Sequence, residues 1–464
     1  MTEDKRVVQT ELFAVAELPG RPMLHWHGKR PLREIPYYPA QLRERYGDSP
    51  PRVGEGLGER SWANRLYWGD NLQVMAHLMR EFRGQIKLIY IDPPFDSGAD
   101  YRKRIKLRGT SVETDLGVLE ERQYTDIWSN DLYLQYMYER LILMRELLAE
   151  DGSLWLHCDW RKNHHLRMLL DEVFGAEGFL AQVAWRTMTS SGYKGKKSLG
   201  RSHADLLYYA RGGSFTYNPQ HVEMSQDMLA RYRHEDPDGR RFKDSYLGDA
   251  SPETIESLRA ANRLYVTKTG GYRIKHYLDE AQGVLVDDVW TDIDPENSQS
   301  LALTDYPTQK PEELLERIIK LTSNPCDLVA DFFIGSGTTA AVAQRLGRRW
   351  IGADINLGAI HTTAQRLARV IEEQQTSAAQ PELFGAAENG TRTTQYATFE
   401  VYNVNHYEIF KNAEEARDIV LKLYGVEPLK GHRFFDGTLD SRWVKVVDLN
   451  RICSKLDIDR KSVV

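Results

Sequence analysis

Cysteine is scarce: Cys158, Cys326 and Cys453 are the three in 464 residues, and no two stand in C-x-x-C spacing. That excludes a disulfide framework and argues against a structural zinc site. No apolar run approaches the ~18 residues of a membrane span. The opening Met1-Thr2-Glu3-Asp4-Lys5-Arg6 lacks the apolar core of a signal peptide, so a reducing, cytoplasmic location is expected. Neither sign of charge dominates, since 61 Lys and Arg face 67 Asp and Glu for a formal net charge of −6. The global basic field of a small nucleic-acid binder is thereby excluded, and any contact with nucleic acid must come from local patches. The length suits one large domain with insertions or two to three ordinary ones.

What the chain does have is organised around Leu88-Ile89-Tyr90-Ile91-Asp92-Pro93-Pro94-Phe95. The apolar, β-branched and aromatic run predicts a buried strand that delivers the Asp92 carboxylate to its carboxyl end. Each proline fixes its own φ and lacks an N–H, and the residue before a proline is pushed out of the helical region. The carbonyls of Asp92 and Pro93 therefore stay out of any helix, beside a carboxylate and the Phe95 ring. Such an acceptor-rich corner with one flat wall suits a planar group bearing an amine. Upstream, Arg65-Leu66-Tyr67-Trp68 predicts a strand, Gly69-Asp70 its end, and Asn71 the cap of a helix leading into the Asp92 strand. As a β-α-β unit the two strands should be parallel neighbours, with Asp70 and Asp92 at their carboxyl ends.

Residues 1–60, rich in Pro, Arg and Gly, read as an arm extended over the surface, with a partly disordered leader as the alternative. Arg102, Lys103 and Arg104 form a basic run beside the Asp92 corner that could face solvent or grip a phosphate backbone. A helix is predicted over 129–149, a turn at Asp151-Gly152, a buried strand over 153–159 and a helix over 166–174. His157-Cys158-Asp159, with His164 and His165 beyond, invites a metal or nucleophile reading. Adjacent strand residues point to opposite faces, however, and cannot chelate together. Between 180 and 300, aromatic strand-like runs alternate with basic, Gly-rich loops carrying Lys194, Lys196, Lys197, Arg240 and Arg241. Charge for phosphates and rings for bases is what a nucleic-acid surface needs, although an irregular insertion with solvated loops has the same composition. Regular pattern returns at Thr308-Gln309-Lys310-Pro311, where Pro311 opens a helix with Glu312 and Glu313 in its first turn.

A strand over 328–333, the tight loop Ile334-Gly335-Ser336-Gly337, a small-residue helix over 338–346 and a strand ending at Asp354 follow, then a long helix to about residue 373. Gly335-Ser336-Gly337-Thr338-Thr339-Ala340 fits G-x-G-x-x-G/A, with Asp354 at the spacing of a ribose-binding acid. A dinucleotide-dependent dehydrogenase fits that pattern too. Asp331 weighs against it, because a carboxylate before the loop repels a pyrophosphate and attracts a ligand carrying an ammonium and a sulfonium, such as S-adenosylmethionine. The loop also lacks the Gly-Lys-Ser/Thr ending of a P-loop.

Asp331-Phe332-Phe333-Ile334-Gly335-Ser336-Gly337-Thr338-Thr339 resembles the cofactor motif of DNA amino-methyltransferases, and Asp92-Pro93-Pro94-Phe95 their catalytic (D/N/S)PP(Y/F) motif. Thr308-Gln309-Lys310-Pro311 is similar to the segment preceding their cofactor motif. The order of motifs is that of the β group, which includes the modification subunits of type III restriction systems. The resemblance covers about residues 64–373 and implies a Rossmann-like α/β fold: a mostly parallel twisted sheet with permuted motif order, an inserted target-recognition region and a small C-terminal α+β appendage. The implied division is 1–60 arm, 61–181 catalytic half, 182–300 target-recognition insertion, 301–373 cofactor half, 374–394 linker and 395–464 appendage.

The resemblance also implies roles. Asp331, Phe332 and the backbone of Gly335, Ser336, Gly337 and Thr338 would hold the methionine end of S-adenosylmethionine, Asp354 its ribose and Asp70 its adenine amine. Thr308, Lys310 and Pro311 would close over the methionine. Asp92, Pro93, Pro94 and Phe95 would receive a base flipped out of double-stranded DNA. No metal is implied. Phe95 stands where tyrosine is commoner, which keeps a stacking face and loses a hydroxyl. The first-position Asp favours adenine; the cytosine-N4 amine is the alternative, as is a non-catalytic specificity subunit. A homodimer and membership of a restriction or defence assembly stay open, and no nuclease motif is apparent. Pro325-Cys326 lies between a helix end and the cofactor strand, so it reads as structural and no covalent cysteine is required.

Overall fold

The computed structural model describes residues 10–12, 23–32, 34–47, 62–94, 104–107, 110–113, 130–187, 200–295, 309–379, 398–404, 427–428, 437–439 and 442–444. Phe95, Arg102, Lys103, Lys194, Lys196, Lys197 and Thr308 lie outside them. The chain forms two compact units, one of Met1–Tyr217 with Val289–Val464 and one of Asn218–Asp288.

In the larger unit the principal elements run as β1 (Gln41–Tyr46), β2 (Asn64–Trp68), α1 (Asn71–Phe82), β3 (Ile86–Ile91), α2 (Asn130–Leu147), β4 (Leu148–Cys158), α3 (Asn163–Phe174), β5 (Phe179–Arg186) and β6 (His203–Ala210). The smaller unit contributes β7 (His234–Glu235), β8 (Arg241–Tyr246), α4 (Pro252–Ala260), β9 (Leu264–Val266) and β10 (Tyr272–Tyr277). The larger unit resumes with β11 (Val289–Trp290), α5 (Glu312–Thr322), β12 (Leu328–Asp331), α6 (Thr338–Arg345), β13 (Arg349–Asp354), α7 (Leu357–Ala379) and β14 (Phe399–Asn403).

Ten strands pair in the order β11-β5-β6-β4-β3-β12-β13-β2-β14-β1. From β4 through β14 every neighbour is parallel. Parallel strands are covered on both faces and so carry near-continuous apolar runs, as Ile86–Ile91 does. One core cluster takes alternate residues, Tyr67, Ile89, Ile91, Leu154, Leu156, Ala330 and Ile351, together with the apolar residues of α1, α2 and α3. The residues between them, Leu66, Leu88, Tyr90, Trp155 and Val329, are equally buried. Strand alternation turns this second set to the opposite face, which is the one left for α5, α6 and α7. Burying Leu314, Leu315, Ile318 and Ile319 of α5 supplies roughly 6–12 kcal/mol of gross hydrophobic stabilisation.

The structure corrects several expectations. β2 and β3 are not neighbours, because β12 and β13 from the far end of the sequence slot between them. β1 and β14 belong to the sheet, although they fall in the expected arm and appendage. α7 continues to Ala379, inside the expected linker. Asp70, not Asn71, is the N-cap of α1, accepting from the Leu72 N–H at 2.9 Å. Asp151-Gly152 does not turn the chain out of the sheet: β4 runs through it with a bulge against β3. A Cβ at Gly152 would stand 2.8 Å from the Ile86 carbonyl oxygen, which explains the glycine. β5, β6 and β11 join the main sheet, so the compact inserted unit is Asn218–Asp288 rather than the whole of 182–300. Its own sheet is β7-β8-β10-β9, antiparallel throughout.

No helix among the described residues is long and apolar enough to cross a membrane.

Candidate active site

The strand order brings four acids from distant parts of the sequence into one row. Across β3, β12, β13 and β2, the carboxyl ends carry Asp92, Asp331, Asp354 and Asp70 in turn. Neighbouring strands lie about 4.8 Å apart, so the row spans roughly 15 Å. Ligands of open α/β sheets bind along this edge.

Asp92 follows the last residue of β3 and is 19% exposed. Its Oδ2 is held by the Lys310 ammonium, while its Oδ1 is buried and has no hydrogen-bond partner among the described residues. Pairing of Ile91 with Leu156 sets His157 alongside, its Nδ1 3.9 Å from Asp92 Oδ1. That is too long for a hydrogen bond. The His157 Nδ1 instead lies 3.2 Å from the Tyr90 hydroxyl, and its ring meets Trp185 edge-on at 5.7 Å. Burial pushes the His157 imidazole down to about 3, and the Lys310 charge acts in the same sense against Asp92. The histidine is therefore a neutral wall behind the carboxylate.

Asp331 ends β12 almost fully buried. It accepts from the Phe333 N–H at 2.9 Å and from Thr339 Oγ1 at 2.6 Å. Burial raises it to about 7, and the charges of Asp92 and Asp354 add to the rise while those two hydrogen bonds oppose it. The loop after it turns through Gly335 and Gly337, at φ +51 and +79. A Cβ on Gly337 would meet Thr363 at 2.8 Å, and the Thr363 hydroxyl donates to the Gly335 carbonyl at 2.9 Å. Asp354 accepts from the Gly335 N–H at 3.0 Å and the Asn356 N–H at 2.8 Å, and burial raises it to about 6. Arg366 braces the loop from α7, donating to the Ser336 carbonyl at 3.2 Å and Thr338 Oγ1 at 2.9 Å. At the end of the row Arg140 donates to Asp70 Oδ2 at 2.9 Å, its guanidinium 3.3 Å from the Tyr136 ring centre.

The structure therefore gathers Asp92, Pro93, Pro94, Asp331, Gly335, Ser336, Gly337, Thr338, Asp354, Asp70 and Lys310 along one sheet edge, with Pro311 capping α5 nearby in sequence. Phe332 departs from the expectation. Its ring is wholly buried in the core cluster, and its carbonyl accepts from Asn71 Nδ2 at 3.0 Å. Cys326 sits at the amino end of β12, at φ +69, away from the acid row, as a structural residue would. Among the described residues no group of three His, Cys, Asp or Glu could hold a metal.

In the smaller unit Arg240 pairs with Asp279 and Glu280, and Arg241 donates to the carbonyls of Tyr232 and Leu229. Both guanidinium groups are occupied within the unit, so phosphate contact would have to compete with these partners. The unit carries ten Lys and Arg against thirteen Asp and Glu, which is no basic patch overall. Arg104 opens the strand Arg104–Leu107 and pairs in register with Glu113 of the antiparallel strand Thr110–Glu113.

Sequence reasoning missed the place of His157 beside Asp92, Lys310 as the partner of Asp92, and Arg140 and Arg366. The one available signal for His157 was its position at the end of a buried strand. Which acid it would face depends on strand register, which the sequence does not display.

The acid row meets the demands of S-adenosylmethionine. Burial raises Asp331 to about 7 with no cationic partner among the described residues, so an incoming ammonium would favour its ionised form, and each Asp354 oxygen keeps a lone pair for a ribose hydroxyl. Comparisons with known proteins agree. A family model described as DNA methylase matches residues 86–365, more than half of the chain. The type II methyltransferase M.EcaI of Enterobacter cloacae is 31% identical over 345 residues, covering 68% of this chain and 73% of that one. The StyLTI Mod subunit of a type III restriction-modification enzyme of Salmonella typhimurium is 26% identical, over 62% of this chain and 51% of its own length, so this chain spans about half of it. The DNA adenine methyltransferase YhdJ of Escherichia coli is 25% identical, over 70% and 92%. A glycine loop between two buried acids, set beside Asp-Pro-Pro on the adjoining strand, is thus met in a chain that belongs to the DNA methylase family.

Proposed function

We propose that this chain methylates the exocyclic amine of adenine in double-stranded DNA, with S-adenosylmethionine as methyl donor. The observation that carries the reading is Asp92 Oδ1: a buried carboxylate oxygen with no hydrogen-bond partner among the described residues, at the strand end next to Asp331. Leaving such an acceptor unsatisfied costs about 1–3 kcal/mol, which an incoming N–H recovers. A base inside a duplex cannot reach this corner and must be flipped out of the stack.

The amine lone pair is delocalised into the ring and is a poor nucleophile. Asp92 Oδ1 accepts one amine hydrogen and the Pro93 carbonyl the other, which favours a pyramidal nitrogen and localises its lone pair. The cofactor, when bound, supplies an electrophilic methyl group on a sulfonium. Asp331 receives its ammonium, Asp354 its ribose and Asp70 its adenine. Most of the acceleration comes from positioning and fixed dipoles. The surplus proton of the methylated amine is received at Asp92 Oδ1, and neutral His157 behind it adds no competing charge.

The Asp at the first motif position and the name of the relative YhdJ support adenine, and the named modification subunit supports a place in a restriction-modification pair. The test is incubation of the purified protein with labelled S-adenosylmethionine and unmethylated genomic DNA, followed by nucleoside mass spectrometry. Labelled N6-methyladenine is expected. N4-methylcytosine would overturn the choice of base, and no transfer despite cofactor binding would overturn catalysis by this chain alone.

A further inference from the structure

The sheet edge changes character at Asp92. On one side stand the acids Asp331, Asp354 and Asp70; on the other the strand order continues through β4, β6 and β5. β6 runs antiparallel to β4 with Asp205 opposite Cys158, so the amino end of β6 meets the carboxyl end of β4. The chain leaving β4 turns at once, the Lys162 and Asn163 N–H groups both donating to the Asp159 carbonyl at 3.2 and 3.0 Å. That turn presents Trp160, 42% exposed, and the segment entering β6 lays the exposed Arg201 on it, the guanidinium carbon 3.3 Å from the ring centre. His157 stands level with Asp92 and Trp160 three residues further, so the Cα atoms of Trp160 and Asp92 lie within roughly 16 Å of each other.

The charges around this pair are already spent, and that of Arg201 is not. Arg161 is bound to Asp159, and Arg186 donates to the Thr291 carbonyl at 2.7 Å with Asp294 at 3.9 Å. Asp205 is buried and accepts from Asn163 Nδ2 at 2.8 Å and Gln182 Nε2 at 2.9 Å. Among the described residues Arg201 makes no hydrogen bond or ion pair, and the indole is its partner. At 3.3 Å only a face-to-face stack fits, which uses the face of the guanidinium and leaves its N–H groups directed outward in its own plane. A polyanion is disfavoured along the acid row, whereas here it meets a braced cation with no anion of its own.

We propose that Arg201, held by Trp160, grips a backbone phosphate of the DNA beside the Asp92 corner. Arg201 is the binding residue and Trp160 its positioning residue. The contact carries no base preference, because the phosphates along a strand are alike. This rests on the reading that duplex DNA is the substrate, and adds the part of the sheet edge on which the duplex lies.

The experiment is fluorescence anisotropy of a labelled duplex, with S-adenosylhomocysteine present, over a range of salt concentrations. The variants are Arg201→Gln, Arg201→Lys, Trp160→Leu and the double variant Arg201→Gln with Trp160→Leu. Arg201→Gln should lower the slope of log affinity against log salt by about 0.9, the worth of one phosphate contact, and weaken binding about tenfold whatever the duplex sequence. Arg201→Lys keeps the charge without the planar fork, so it should keep the slope, lose only part of the affinity and guard against a folding artefact. Trp160→Leu should weaken binding about threefold by releasing the guanidinium, and should add nothing in the Arg201→Gln background. In methyl transfer the Arg201→Gln loss should fall on KM for DNA rather than on kcat. Natural affinity and slope in Arg201→Gln, or a Trp160→Leu loss that persists in full without Arg201, would overturn the proposal. A natural chain that binds no duplex removes the functional reading itself, whereas duplex binding that Arg201→Gln leaves unmoved removes only this contact.

Discussion

Asp236 and Asp244 in the smaller unit and Asp331 and Asp354 in the sheet are all largely buried carboxylates, yet their surroundings treat them in opposite ways. Burial drives Asp236 up, but Lys275, at 2.7 and 2.8 Å, Tyr277 and Asn262 bring it below the usual carboxylate range. Burial likewise acts on Asp244, and Arg273 with His234 outweighs it. Among the described residues Asp331 and Asp354 receive only neutral donors, and both end well above that range. A fold that supplies a cation to one pair of buried acids and leaves another pair without one among the described residues supports the proposal that a cationic ligand completes the second pair. On that reading the paired acids are scaffold and the others are site.

Substitutions sharpen this contrast in descending order of effect. Asp92→Asn keeps the shape of the corner and removes its charge, so single-turnover methyl transfer should fall about 10²- to 10³-fold while cofactor affinity survives. Asp331→Asn should weaken S-adenosylmethionine about 10- to 100-fold in calorimetry, the worth of one charge-assisted hydrogen bond. Lys275→Met leaves Asp236 buried without its cation, and chemical denaturation should show a loss of about 3–5 kcal/mol for the smaller unit with cofactor affinity unchanged. Arg240→Gln removes a guanidinium already spent on Asp279 and Glu280, so DNA affinity by fluorescence anisotropy should shift less than twofold. A large shift there would mean that Arg240 leaves its partners for phosphate.

The chemical parts of the site were legible because each is a local pattern. A β-branched run stopped by Asp92-Pro93-Pro94 and an acid before Gly335-Ser336-Gly337 announce strand ends without reference to the rest of the chain. Their arrangement was not legible. Nothing in residues 64–94 shows that β12 and β13, about 240 residues later, will separate β2 from β3. His157 was noticed with Cys158 and Asp159 as a poor chelating group, and only the Ile91 to Leu156 register reveals that it faces Asp92. Arg240 and Arg241 looked basic because a sequence lists charges without their partners. Phe332 shared a motif with Asp331, but strand alternation sends the two side chains to opposite faces, one to the core and one to the site.

Protonation gives the most direct access to the comparison. Asp331 and Asp354 have folded-state values above the unfolded ~4, so their contribution to stability is complete below that pH and is lost as pH rises through about 6 and about 7. A ligand that brings an ammonium to Asp331 needs the ionised form. The decisive measurement is cofactor affinity against pH for the natural chain and Asp331→Asn in parallel. Affinity should climb through about 7 in the natural chain, before the ligand's own ammonium deprotonates near pH 8, and should stay flat over that interval in the variant. A flat profile in the natural chain, or an unchanged climb in the variant, would contradict the claim that the acids left without a cation are the ones that bind the cofactor.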